Sequence, residues 1–191
     1  MIGDLPRSIE VNGREYEIDP DFRTVLDIII ASEDPDLTDQ EKIYICLINL
    51  YVDMDDMPAE DYAEAYRKAN EFIDRGAGKS KVKQPKLMDW EQDEDVLFPA
   101  INKVAGYEVR EKDFIHWWTF LGFYMGIEDG VFSRIVGIRA KKAKKKKLEK
   151  WEQEFYAANA DIIKLKPKRS EKDQAIIDKL KKMMDGGGSD G

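Results

Sequence analysis

The side chains in this 191-residue sequence that could do chemistry are few and scattered. His116 is the only histidine and Cys46 the only cysteine. A zinc site needs several such ligands together, and a nucleophile needs a base beside it. Asp53, Asp55 and Asp56, and again Asp93, Glu94 and Asp95, offer oxygen ligands to a hard cation. Neither triplet has the central glycine and terminal glutamate of a calcium loop, and both read as solvated acidic helix ends. With so many carboxylates in the chain, any one pair proposed for acid/base work has no specificity. Gly78-Lys79-Ser80 matches the tail of a phosphate-binding loop, but the loop's first glycine would fall at Ile73, inside a helical pattern and without a leading strand. The sequence therefore predicts no catalytic residue, no metal site, no cofactor and no enzyme.

Its chemical resource is aromatic surface. All four tryptophans lie between Met88 and Trp151, where the largest side chains for core or interface are gathered. From Asp113, a candidate N-cap, to Met125 nearly every residue is apolar; only His116, Thr119, Gly122 and Gly126 form a narrow small or polar strip. A helix apolar on that much of its circumference is either a plain core helix or is covered on one side by its own domain and on the other by a partner. Trp117 and Trp118 are accordingly candidates for partner contact.

Several elements must position this segment. Ser8 to Ile18 alternates apolar and polar residues around Asn12-Gly13, which predicts a two-stranded hairpin with Ile9, Val11, Tyr16 and Ile18 on its apolar face. A helix opens at Asp19-Pro20, and another follows the capping box Thr38-Asp39-Gln40-Glu41. This second helix is apolar nearly all round and is expected to be central. A third begins at Pro58 and stops at Gly76, after which residues 76–87 have the composition of a mobile linker. Further helices are predicted from about Glu91 to Ala105, with a kink or a late start near Phe98 because of Pro99, and around Val131 to Ile138.

A basic run from Arg139 to Lys150 follows; a solvated helix face or hinge is favoured over nucleic-acid contact, since no aromatic residues interleave it. Leu148, Trp151, Phe155, Ala158, Ile162 and Leu165 then recur every three or four residues, a seam able to pack on the body or to offer a ridge to another protein. After Pro167, residues Ile176, Ile177, Leu180, Met183 and Met184 predict a short amphipathic segment in an otherwise flexible tail.

Residues 1–100 carry 25 acidic and 11 basic side chains, the remainder 14 and 20. An acidic chain is a poor nucleic-acid binder. The lone cysteine suits a reducing compartment, and neither a signal peptide nor an apolar run of bilayer length is present. These features predict a soluble, intracellular, mainly α protein: a helical bundle-like domain over residues 1–165 with a small N-terminal β-hairpin, then a tail over 166–191.

The order of the hairpin, Asp89-Trp90-Glu91-Gln92-Asp93, Phe98-Pro99-Ala100-Ile101-Asn102-Lys103-Val104, His116 to Gly122, Ile135-Val136-Gly137-Ile138-Arg139 and Leu148-Glu149-Lys150-Trp151-Glu152 resembles the bacteriophage gene-product-fifteen family. Its members are similar to tail assembly chaperones of tailed phages or prophages of Gram-positive bacteria. The resemblance implies a helical, non-enzymatic protein that holds the tape measure protein, recruits major tail (tube) protein subunits, can self-associate, works in the host cytoplasm and is absent from the mature virion. Trp117, Trp118, the ridge Leu148, Trp151, Phe155 and Ile162, and the hook Ile176 and Leu180 are the expected partner-binding residues. The alternative is a small nucleic-acid-associated phage protein using the basic run at 139–150.

Overall fold

The structure, a computed structural model, describes residues 3–76 and 85–176. Most of them are helical, and an antiparallel hairpin stands at the N-terminal end, giving the mainly α fold that the periodicities predict. Strands β1 (Ser8–Val11) and β2 (Arg14–Glu17) pair with Val11 opposite Arg14. Asn12 and Gly13 both take positive φ, 49° and 84°, as the tight turn demands. The hairpin lies on its own chain: Val11, Tyr16 and Ile18 are buried, and the Asn12 amide and Tyr16 hydroxyl donate to the buried Asp61 carboxylate at 2.7 and 3.2 Å. Burial and the Asp61 acceptor push the Tyr16 hydroxyl above its ordinary pKa.

Helix α1 (Phe22–Ser32) is capped by Asp21, whose carboxylate accepts from the Arg23 amide. Helix α2 (Asp39–Leu50) has the capping box formed by Thr38 and Glu41. α1 packs on α2, and α2 on α3 (Tyr62–Ile73), through Val25, Leu47, Leu50 and the small residues Ala65 and Ala69. α2 is not central, however. Cys46, Leu47 and Leu50 face inward while Tyr44 and Ile48 are exposed. Its apolar composition predicts burial all round, but α1 and α3 cover only part of its circumference.

Helix α4 (Glu94–Ala105) runs through Pro99 without a break and ends on Gly106 at φ 78°. Helix α5 (Trp117–Met125) starts three residues later than an Asp113 cap would place it. The preceding backbone is taken up elsewhere: Phe22 donates its amide to the Ile115 carbonyl at 3.0 Å, and Trp117 to the Pro20 carbonyl at 2.7 Å. The cap is His116, whose Nδ1 accepts from the Trp118 amide at 3.1 Å while Nε2–H donates to the Pro6 carbonyl at 2.9 Å. One neutral imidazole therefore starts α5 and ties down the N-terminal arm.

Burial, followed by the nearby Arg7 charge, holds the His116 pKa below its ordinary value against the raising effect of the Pro6 bond. A folded pKa below the unfolded one contributes stability that is full above about pH 6.5 and is lost as pH falls through the folded value. Protonation would also place an N–H at Nδ1 against the Trp118 N–H. His116→Asn, which can accept at the cap but cannot charge, should therefore lose less stability than the natural chain between about pH 7.5 and about pH 5. Urea unfolding at the two pH values measures this; equal losses in both proteins would remove His116 from the pH response.

Helices α6 (Val131–Ala143), α7 (Lys150–Ala158) and α8 (Ala160–Ile163) complete the described fold. The seam beginning at Leu148 predicts one helix, but the backbone breaks at Asn159 (φ −129°, ψ 29°), which rotates the faces on either side. Ile135, Ile138 and Ile163 form a small second core, with Leu148, Phe155 and Tyr156 packed beside it.

Two residues read as solvated charges lie at the centre of this C-terminal packing. Asp93 and Arg139 are 1 % and 7 % exposed and form a bidentate pair at 2.6 and 2.8 Å. Arg139 gives its remaining guanidinium hydrogens to the carbonyls of Leu87, Ile162 and Ile163 at 3.0, 2.7 and 2.7 Å. All five donors are used. Beside the pair, Asp89 is also buried, accepting from Lys86 and from the Glu91 and Gln92 amides. Gln92 exchanges two 2.8 Å bonds with the Lys166 backbone. The acidic cluster is an internal clasp for the segment that follows α8.

Candidate functional site

The four tryptophans separate into different roles. Trp117 is 2 % exposed and donates its indole N–H to the Ile73 carbonyl at 2.9 Å; Trp118 donates to the Phe72 carbonyl at the same distance. Both indoles donate to carbonyls of the last turn of α3, where i→i−4 bonding runs out; the Phe72 carbonyl also accepts from the Arg75 amide at 3.1 Å. Trp90 packs against Trp117, Phe120 and Tyr124, and Phe22 stacks on Phe120 with centroids 4.3 Å apart. Trp117 therefore has no surface to give a partner while the protein is folded, and Trp118 is half-buried by its own chain.

The expected ridge is divided in the same way. Leu148 and Phe155 are partly covered by the second core, whereas Trp151 is 52 % exposed and Ile162 is also exposed. Ile176 is exposed at the end of the described residues; Leu180 lies outside them, as does the Gly78-Lys79-Ser80 part of the linker. In the basic run, Lys141 pairs with Glu152 at 2.7 Å and the Lys142 ammonium sits 4.0 Å from the Tyr156 ring centroid. Lys144 to Lys147 are exposed in the connection to α7, where Lys145 takes φ 54°.

Spacing alone did not disclose a groove between α4 and the start of α6. It measures roughly 590 Å³ and is lined by Val96, Pro99, Ala100, Lys103 and Val104 on α4 and by residues 126–132 of the α5–α6 connection and α6. Its floor is apolar, with Phe132 buried and Val96 and Ile127 half-buried. Val104 and Val131 are exposed, and Met125, at the end of α5 beside it, is 73 % exposed. Lys103 stands on one rim, Glu128 and Asp129 on the other. Gly126 admits little more: a Cβ there would meet the Val104 Cγ1 at 3.0 Å.

No group of three or more histidine, cysteine, aspartate or glutamate side chains suited to a metal occurs among the described residues, and burial pushes the Cys46 thiol up to about 12. A groove with an apolar floor, a rim carrying Lys103, Glu128 and Asp129, and an exposed methionine beside it can hold the face of an amphipathic helix. A protein-family model described as Bacteriophage Gp15 protein matches residues 1–165, nearly all of the folded body just described. The chain belongs to this bacteriophage Gp15 family. Membership supports a phage structural or assembly protein. No curated protein and no solved structure matches. Among the described residues, no helix is long and apolar enough to cross a membrane.

Proposed function

We infer that this Gp15-family protein is a non-enzymatic tail assembly chaperone of a tailed phage or prophage. It holds the tape measure protein through the groove between α4 and α6 and helps bring tail-tube subunits to it in the host cytoplasm. The observation that carries this reading is the groove itself, a concavity with an apolar floor and a charged rim, flanked by the exposed Val104, Met125 and Val131. A helix that must later be enclosed in a tube exposes apolar side chains beforehand. A groove of this kind covers them reversibly, since its shape is set by a folded scaffold and its methionine adapts to varied side chains. The separately exposed Trp151 and Ile162 offer a second contact for a tube subunit or another copy.

Co-expression with the tape measure and major tail proteins of the same phage, followed by affinity capture and size analysis, tests the reading. The expected result is a soluble complex with a partner that aggregates alone. Met125→Glu with Val131→Asp should reduce tape measure capture at least about tenfold by placing charge where an apolar face must dock. The same pair should leave the melting temperature nearly unchanged, because both side chains are exposed. Capture unaffected by the pair would remove the groove from the reading. Absence of any complex, together with steeply salt-dependent DNA binding lost on neutralising Lys144 to Lys147, would replace it with nucleic-acid association.

A further inference from the structure

We propose that the two rims of the groove between α4 and α6 fix both the chemistry and the direction of its occupant. That occupant is an amphipathic helix with acidic residues along one flank of its apolar face and basic residues along the other, and the groove admits it in one direction only. This rests on the groove being a docking site for a helix face, and it names the charge pattern which that face must carry.

The α4 wall consists of Val96, Pro99, Ala100, Lys103 and Val104, which fall at every third or fourth residue and so share one side of the helix. They extend about 12 Å along its axis, enough for about two turns of an incoming helix. The facing wall belongs to the α5–α6 connection and the start of α6, where Phe132 is buried and Ile127 half-buried, while Glu128 and Asp129 are exposed. Lys103 is exposed as well, and among the described residues none of these three charges has an ion-pair partner. The charges that clasp the C-terminal segment are used differently: Lys86 pairs with Glu33 and Asp89, and Lys168 with Glu91. The fold does not employ the rim charges, so they are available to whatever enters the groove.

With a cation on one wall and two anions on the other, the groove is electrically polar across its width. A helix that turns acid toward Lys103 and base toward Glu128 and Asp129 is favoured on both sides. Turned end for end with its apolar face still on the floor, the same helix exchanges its flanks and sets like charge against like on both walls. A helix with one sign of charge on both flanks gains at one wall and loses at the other in either direction. Each of these pairs is solvated and individually weak, so the rims select and orient while the apolar floor supplies the affinity.

The test uses the full chain and two designed helical peptides of about 15 residues with the same apolar face, one with segregated acid and base flanks and one basic on both. The segregated peptide, carrying a nitroxide at its N-terminus, should broaden amide resonances at one end of the α4 wall, near Val96 or near Val104, and not at both. In the variant Lys103→Glu with Glu128→Lys and Asp129→Lys, the broadening should move to the other end. Lys103→Glu alone should improve binding of the basic peptide relative to the segregated one at least about fivefold. All three side chains are exposed and unpaired, so these variants should melt as the natural chain does. Broadening at both ends, or at the same end in the natural chain and the inverted variant, overturns the proposal and leaves the groove as a docking site that does not read charge. If neither peptide perturbs the groove resonances, the proposal and the docking site on which it rests both fall.

Discussion

Asp93→Ala is expected to lower the unfolding free energy by about 3–5 kcal/mol, the cost of leaving one member of a buried ion pair without its partner. Arg139 would remain buried with two of its five N–H groups unmatched, since among the described residues Asp93 is the only carboxylate that reaches it. The loss should also spread, because the same guanidinium holds the carbonyls of Leu87, Ile162 and Ile163. Residues 148–168 should become several-fold more susceptible to limited proteolysis while α1 to α3 keep their protection. Urea unfolding and protease mapping read both effects. The double substitution Asp93→Leu with Arg139→Met separates charge from shape. It removes both desolvated charges and should recover part of the loss, but not all, because the three carbonyls lose their donors. If Asp93→Ala costs less than about 1 kcal/mol, the pair is not the clasp its geometry implies.

Trp117→Ala should cost a similar amount, about 3–5 kcal/mol, as a large side chain removed from a packed core. For a chain of this length that corresponds to a fall of roughly 10 °C in melting temperature. Trp117→Phe keeps much of the volume but leaves the Ile73 carbonyl without the indole donor, so an intermediate loss is expected. Trp151→Ala supplies the contrast: exposed on α7, it should change stability by no more than about 0.5 kcal/mol. Calorimetry of the three variants measures this ordering. If Trp117→Ala were as mild as Trp151→Ala, the aromatic cluster around α5 would be loosely packed and Trp117 would return as a candidate for partner contact.

Local pattern was sufficient where local forces decide. Asn12-Gly13 favours the positive backbone angles of a tight turn, and the hairpin formed there. The Thr38 and Glu41 capping box, the Gly106 helix end and the apolar faces of α1 and α3 follow equally from nearest-neighbour chemistry and 3.6-residue spacing. The scarcity of histidine and cysteine was visible in the same way. So was the family order of motifs, since a resemblance rests on sequence alone.

What a side chain does depends on what other parts of the chain bring to it, and only the tertiary structure decides that. Asp93 and Arg139 are 46 residues apart and look like ordinary surface charges until α4 and α6 pack, at which point each supplies the countercharge that permits the other's burial. Trp117, Trp118 and Trp151 are the same residue type on apolar stripes. Two of them meet the end of α3 and pack there, while the third, on α7, stays half exposed. The groove has no local signature at all, because its walls come from separated segments with ordinary residues. The break at Asn159 likewise turned one expected ridge into a packed side and an exposed side, because burying Ile163 against Ile135 and Ile138 took precedence over an unbroken seam. Element identity thus lay in local spacing and turn chemistry, whereas burial, and with it every candidate contact, was decided by long-range packing.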